Sequence, residues 1–208
     1  MELLHSSWLE IEDYLKFSDG IIIPTGSIEQ HGPIGLIGTD TLCSNDIATE
    51  AAKKINALVA PALAYAPAEF NMAFAGTASI SISVYRNFCA EVFRSFERHG
   101  FKHIYVVNGH GANLEPLRDA ADNLKNASVR IKSWWDFSRV AELRSQFYGA
   151  WEGMHATPSE IAITQTKHRN LKADLAKEPP EKLTPEFIKS HAVHKHGRTK
   201  EHRSKFPD

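Results

Sequence analysis

Sulfur, net charge and long apolar runs are all scarce in this chain, and each shortage excludes something. The two cysteines, Cys43 and Cys89, lie far apart and form no CxxC pair. They read as reduced thiols of a cytoplasmic protein rather than as a disulfide framework. A formal net charge of −1 over 208 residues gives no overall attraction to nucleic acid or to an anionic membrane, so neither is expected as a partner. No apolar segment approaches the ~20 residues of a membrane span. The opening MELLHSSWLEIEDYL is acidic and amphipathic, unlike a secretory signal. No internal repeat or linker-like stretch interrupts the chain, so residues 1–170 are expected to form one domain. Residues 171–208 read as a charged, histidine-rich segment, with HAVHKHGRTKEHRSK carrying five basic residues and one acid. That segment is expected to be solvated, or to pack on the same domain or on a partner subunit.

What is present suits a globular core. Hydrophobic residues make up 42% and charged residues 24%, ordinary values for such a chain, and a chain of this length buries roughly 70% of its extended surface on folding. Ser6 or Ser7 is placed to cap a first helix running to about Phe17, with Trp8, Ile11 and Leu15 on one face. GIII, residues 20–23, is a continuous apolar run of the kind a strand shows when covered on both faces, with Pro24 and Gly26 expected to stop it. TLCSNDIATEAAKKIN predicts a helix with Asp40 or Thr41 at its start, and ALVAPAL predicts a second strand. YAPAEFNMAFAGTAS is irregular. Beyond it Val84, Phe88, Val92 and Phe96 recur at four-residue steps in a helix that Gly100 ends. KHIYVV predicts a strand, followed by the loop NGHGAN and a helix from Leu114 to about Lys125. SVRIKSWW predicts a further strand, and Pro158 suits the first turn of a helix through SEIAITQTKH. Strands alternating with helices predict an α/β fold with a largely parallel sheet.

Chemistry gathers where those strands end. In an open α/β sheet ligands bind beyond the carboxyl ends of strands. The loop PTGSIEQHGPIGLIGTD, after the first strand, carries Glu29, His31 and Asp40. Glu29 and His31 stand two apart, which in extended backbone puts them on one side. His110 lies three residues past Val107 in VVNGHGAN. WEGMHATPSEIAITQ adds Trp151, His155 and Glu160. Each has a plainer reading: Asp40 as a helix cap, Glu160 as a first-turn acid complementing the helix dipole, His110 as a local or anion-binding group. Together they give carboxylates and imidazoles at two strand ends, a donor mixture suited to zinc, manganese or iron(II) rather than calcium. The glycine loops lack both GxGxxG and GxxxxGK[ST], which leaves little for a nucleotide-binding reading.

GSIEQHG with GTD, then VVNGHGAN, then GMHATPSE, in that order over about residues 20–166, resemble the creatininase (creatinine amidohydrolase) family. The resemblance implies a three-layer α/β fold, a mainly parallel sheet flanked by helices. It also implies a homo-oligomer, hexameric in the family, and a small-molecule substrate. The cofactors it implies are two divalent metal ions per subunit, Zn2+ first, with Mn2+ or Fe2+ as substitutes. By motif, Glu29 would bind one metal with His110, His31 would bind the other, and Asp40 would bridge them. Creatininases proper have a glutamate two residues after the NGH histidine, where this chain has Ala112; Glu160 resembles the glutamate that closes the H-A-x-x-x-E motif of many relatives, and the resemblance makes it the fifth ligand. His155 matches the catalytic histidine and Trp151 an aromatic residue flanking the substrate.

Met154 replaces the acid that creatininases proper use in proton transfer, and Phe70 replaces a residue that is commonly polar; both weigh against creatinine as the substrate. Glu152 is the candidate second proton carrier, and Trp134 with Trp135 could wall a planar substrate or pack in the core. The expected function is hydrolysis of the C–N bond of a small cyclic amide or formamide by water activated between the two metals, with His155 stabilising the tetrahedral intermediate or protonating the leaving nitrogen. The alternative is a catalytically weak metal- or ligand-binding relative.

Overall fold

The computed structural model describes residues 1–122 and 124–172; the histidine-rich segment predicted from residue 171 onward lies almost wholly outside them. Four strands form one parallel sheet: β1 (Gly20–Thr25), β2 (Leu58–Val59), β3 (His103–Asn108) and β4 (Ser128–Ser133), in spatial order β2-β1-β3-β4. Six α-helices accompany them among the described residues: α1 (Trp8–Leu15), α2 (Thr39–Ile55), α3 (Ile82–Arg98), α4 (Leu114–Ala121), α5 (Ser138–Phe147) and α6 (Pro158–Lys167).

The apolar run of β1 is continuous because both faces of the strand are covered, as parallel strands require. Ile21 and Ile23 join Tyr85, Cys89 and Phe93 of α3, Leu117 and Ala120 of α4, and the partly buried Ile11, Tyr14 and Leu15 of α1. Ile22 faces the other way, with Val107, Trp134 and the α2 residues Cys43, Ala48 and Ala52. Helix, sheet and helix therefore stack as three layers, and the fold class expected from the alternation of elements holds.

Several local expectations need correction. β1 runs on through Pro24 and Thr25, paired with Val107 and Asn108. A central strand tolerates this proline because the Pro24 carbonyl accepts from Leu63 N at 2.9 Å. Its missing donor therefore faces the same edge, past the end of the two-residue β2. The predicted second strand, ALVAPAL, shrinks to Leu58 and Val59, with a single bridge from Leu63 to Thr25. Trp8 does not share the buried face of α1 and is 69% exposed. The buried stripe of α3 is Tyr85, Cys89 and Phe93, while Val84 and Phe88 are exposed. α4 stops at Ala121, short of Lys125, and α5 has no counterpart among the predicted elements. No helix of the described residues is long and apolar enough to cross a membrane.

Candidate metal centre

The carboxyl ends of β1 and β3 and the amino ends of α2 and α6 converge on one place. β1 leads into the loop of Glu29 and His31, β3 leads into His110, and Asp40 and Glu160 sit in the first turns of α2 and α6. Two glycines permit the approach. A Cβ on Gly109 would stand 2.1 Å from the Asp40 carbonyl oxygen, and one on Gly35 would stand 1.9 Å from the His31 carbonyl oxygen. No side chain fits at either position, so backbone meets backbone there.

Glu29, His31, Asp40, His110 and Glu160 are all at least nine-tenths buried. Asp40 is the shared member. Its Oδ1 faces His31 Nε2 at 2.8 Å, and its Oδ2 faces His110 Nδ1 at 2.8 Å. Glu29, Asp40 and His110 form one group of possible ligand atoms within 4.8 Å of one another, and His31, Asp40 and Glu160 form a second. His155 adds a third group with Glu29 and His31. α2 has no side-chain cap bond, so the capping reading of Asp40 fails: its carboxylate is spent on the two histidines and on Ser27 Oγ, which donates at 2.8 Å. Glu160 does both things foreseen for it. Its Oε2 accepts from Thr157 N at 2.8 Å in a capping box, and its carboxylate also faces His31 and Asp40.

Outer contacts fix how each ring presents itself. His31 Nδ1 lies 3.1 Å from the Glu29 carbonyl oxygen and His110 Nε2 lies 2.9 Å from that of Pro67. A carbonyl accepts only, so each of these nitrogens carries a proton, and the opposite nitrogen, which faces Asp40, is the one that would bind a metal once the ring is neutral, the usual arrangement of a metal-bound imidazole. The Asn108 side chain ties the His110 loop down. Its Oδ1 accepts from Thr25 Oγ1 and His110 N, and its Nδ2 donates to the His110 carbonyl and to Ser133 Oγ. Asn71, fully buried, donates to Glu29 Oε2 at 3.2 Å and accepts from Gln30 Nε2. Phe70 stacks on the His110 ring with centroids 6.0 Å apart.

Electrostatically, the metal-free cluster is a set of carboxylates held by protonated imidazoles. Burial pushes His31 down, but the charge and hydrogen bond of Asp40, with Glu160 and Glu29 behind it, raise it to about 9. Burial likewise pushes His110 down, and Glu29 and Asp40 raise it well above its ordinary value. Burial would raise Asp40, yet the His31 charge and the bonds to both histidines hold it well below the carboxylate range. Burial and the neighbouring Asp40 push Glu160 up to about 7. Three buried carboxylates beside two imidazoles suit divalent cations: two sets of three mixed oxygen and nitrogen donors, joined through one aspartate.

The cluster opens into a cavity of about 270 Å³, lined by Asp40, His110, Glu160, Met154, His155, Trp134, Trp135 and Arg144 among others. His155 is at its wall, with Nε2 2.8 Å from the Gln30 carbonyl oxygen and Nδ1 3.4 Å from Glu29 Oε1. Trp151, expected beside the substrate, is 67% exposed and is not among the residues lining the cavity, whereas Trp134 and Trp135 are. Glu152 is not among the residues that line the cavity. Arg144 Nε and Ser159 Oγ both donate to its Oε1, so a buried ion pair occupies the carboxyl proposed as a proton carrier. Asn71 and Arg144 were missed by sequence reasoning. An asparagine amid the apolar residues of EFNMAFAG was the available signal for the first, and nothing local marked the second.

Comparisons with known proteins place the chain in a family and agree with the fold. A family model described as creatininase, creatinine amidohydrolase, matches residues 4–204. The creatinine amidohydrolase of Pseudomonas putida is 25% identical over 184 residues, 79% of this chain and 71% of its own. The mycofactocin precursor peptide peptidase of Mycobacterium ulcerans (strain Agy99) is 35% identical over 123 residues, 55% of this chain and 48% of its own; this chain matches about half of that peptidase's length. Solved creatininase structures, one a mutant of the Zn–Zn type and one with Mn, superpose with TM-scores of 0.77 and 0.78 at 23% identity, over 88% of this chain and 80% of theirs.

Proposed function

This chain belongs to the creatininase family, and from that premise we propose that it is a metal-dependent amidohydrolase cleaving the C–N bond of a small cyclic amide or formamide. The observation that carries the reading is Asp40, whose two oxygens face two separate sets of donors. Glu29, Asp40 and His110 would hold one divalent ion, and His31, Asp40 and Glu160 the other. Such a pair supplies a water acidified to near neutral pH and a Lewis acid for the amide oxygen.

The chain's own residues supply position and protons. Asn71 and the Gln30 backbone hold Glu29 and His155 in place, and Asn108 fixes the His110 loop. His155 is the general acid, its ring at the cavity wall within reach of a leaving nitrogen. Trp134 and Trp135 wall a planar substrate, and the cavity volume suits a metabolite rather than a drug-sized ligand. Met154 also lines it. An apolar side chain there cannot move protons, which weighs against creatinine and leaves proton transfer to His155.

Metal content per chain tests the reading. Wild-type protein loaded with Zn2+ or Mn2+ should hold close to two ions, and Asp40→Asn clearly fewer, with hydrolysis of an amide and formamide panel lost. Full occupancy and normal turnover in Asp40→Asn would end the bridging role. One observation favours a second assignment: His155 lies with Glu29 and His31 in a possible ligand group. Loss of metal on His155→Ala would make it a ligand, whereas retained metal with turnover lowered by roughly 100-fold or more fits the acid role.

A further inference from the structure

The cavity beside the cluster contains one strongly basic side chain among the described residues, Arg144. It is held from two sides. Its Nε donates to Glu152 Oε1 at 2.7 Å, and its Cζ stands 5.7 Å from the centroid of the Trp134 ring. Glu152 is itself fixed, because Ser159 Oγ donates to the same oxygen and the carboxylate is 8% exposed. These contacts use the Nε edge and the flat face of the guanidinium. The terminal Nη1 and Nη2 groups meet no acceptor among the described residues. A guanidinium is charged at any physiological pH, and its two Nη groups form a fork that matches the two oxygens of a carboxylate. Arg144 lines the cavity and its side chain is 22% exposed, so the fork is open to a ligand or to solvent.

We infer that Arg144 is a specificity residue that receives a carboxylate of the substrate. The substrate class narrows from a small amide to a small amide bearing an acidic group, with that group against Arg144 and the scissile bond toward Asp40 and His155. Glu152 is then a positioning residue, aiming the guanidinium across the Trp134 face. The substrate class rests on the amidohydrolase reading; binding of a carboxylate at Arg144 does not.

Two measurements on zinc-loaded protein test it. The first is calorimetric binding of benzoate against benzamide, which share shape and differ in charge. The second is the ratio of kcat/KM for N-formylglycine over N-formylglycinamide and for pyroglutamate over its carboxamide. Both are made on wild type, on Arg144→Gln, and on Arg144→Gln/Glu152→Gln, which leaves no buried carboxylate uncompensated if the single variant folds poorly. Charge-assisted hydrogen bonds predict that the wild type prefers the anionic member roughly 10- to 100-fold, and that both variants lose that preference. No preference in the wild type, or one that survives in both variants, overturns the inference, because the acid would then sit elsewhere, as on the metals. A preference lost in the variants while no amide is hydrolysed would retire the amidohydrolase reading and leave the anion site standing. Hydrolysis without any preference would do the reverse.

Discussion

His31 ties the chemistry of single residues to pH. In the metal-free fold burial disfavours its charge, yet Asp40 raises it to about 9, against an ordinary value near 6.5. Protonated His31 therefore stabilises the metal-free protein fully below pH ~6.5, and that contribution is lost as the pH rises towards about 9. A metal needs the neutral ring, so binding at pH 7 must expel this proton. The affinity should climb between pH 7 and about 9, by up to roughly tenfold per unit for the His31 proton alone. The His110 proton, also held above its ordinary value, steepens that climb, and below about 7 Glu160, raised by burial and by Asp40, adds a further proton to be displaced. Calorimetry in buffers of different ionisation enthalpy counts these protons; an affinity that is flat from pH 7 to 9 would show that His31 is not a proton-coupled ligand.

Among the elements, α3 shows how little a spacing of four resolves by itself. Val84, Phe88, Val92 and Phe96 mark a real apolar side, but the helix turns a neighbouring stripe inward. Phe93 is fully buried and Phe88 is 47% exposed. Phe93→Ala should cost about 3–5 kcal/mol, and Phe88→Ala well under half of that; urea unfolding of both reads the difference, and equal costs would contradict the burial pattern. The segment before α6 shows the opposite case, in which local signals suffice. Thr157, Pro158 and Glu160 are an N-terminal capping box with proline in the first turn, legible as helix start from sequence. Ala156 precedes them at φ 50°, a conformation that costs a residue with a Cβ of order 1 kcal/mol.

At the scale of the whole molecule, the centre is a junction. Its donors come from two strand ends and two helix starts separated by up to 131 residues along the chain, from Glu29 to Glu160. Ions bound there would cross-link the layers, and because the unfolded chain offers no comparable set, they would stabilise only the folded state. At free metal a thousandfold above Kd this is worth about 4 kcal/mol, or on the order of 10 °C in Tm for a domain of this size. Calorimetric scans before and after chelation should show that drop; an unchanged Tm would mean that no tightly held ion joins these elements. The alternation of strands and helices and the parallel sheet were legible in the sequence, because apolar periodicity, caps and glycine loops are local signals; Glu29, His31, Asp40, His110, His155 and Glu160 could be singled out there by donor type and by family resemblance. Tertiary packing alone sets which oxygen of Asp40 meets which histidine, that Trp134 and Trp135 line the cavity, and that Glu152 pairs with Arg144. Those outcomes depend on where helices pack across the sheet, a long-range balance of burial and charge that no stretch of sequence carries alone.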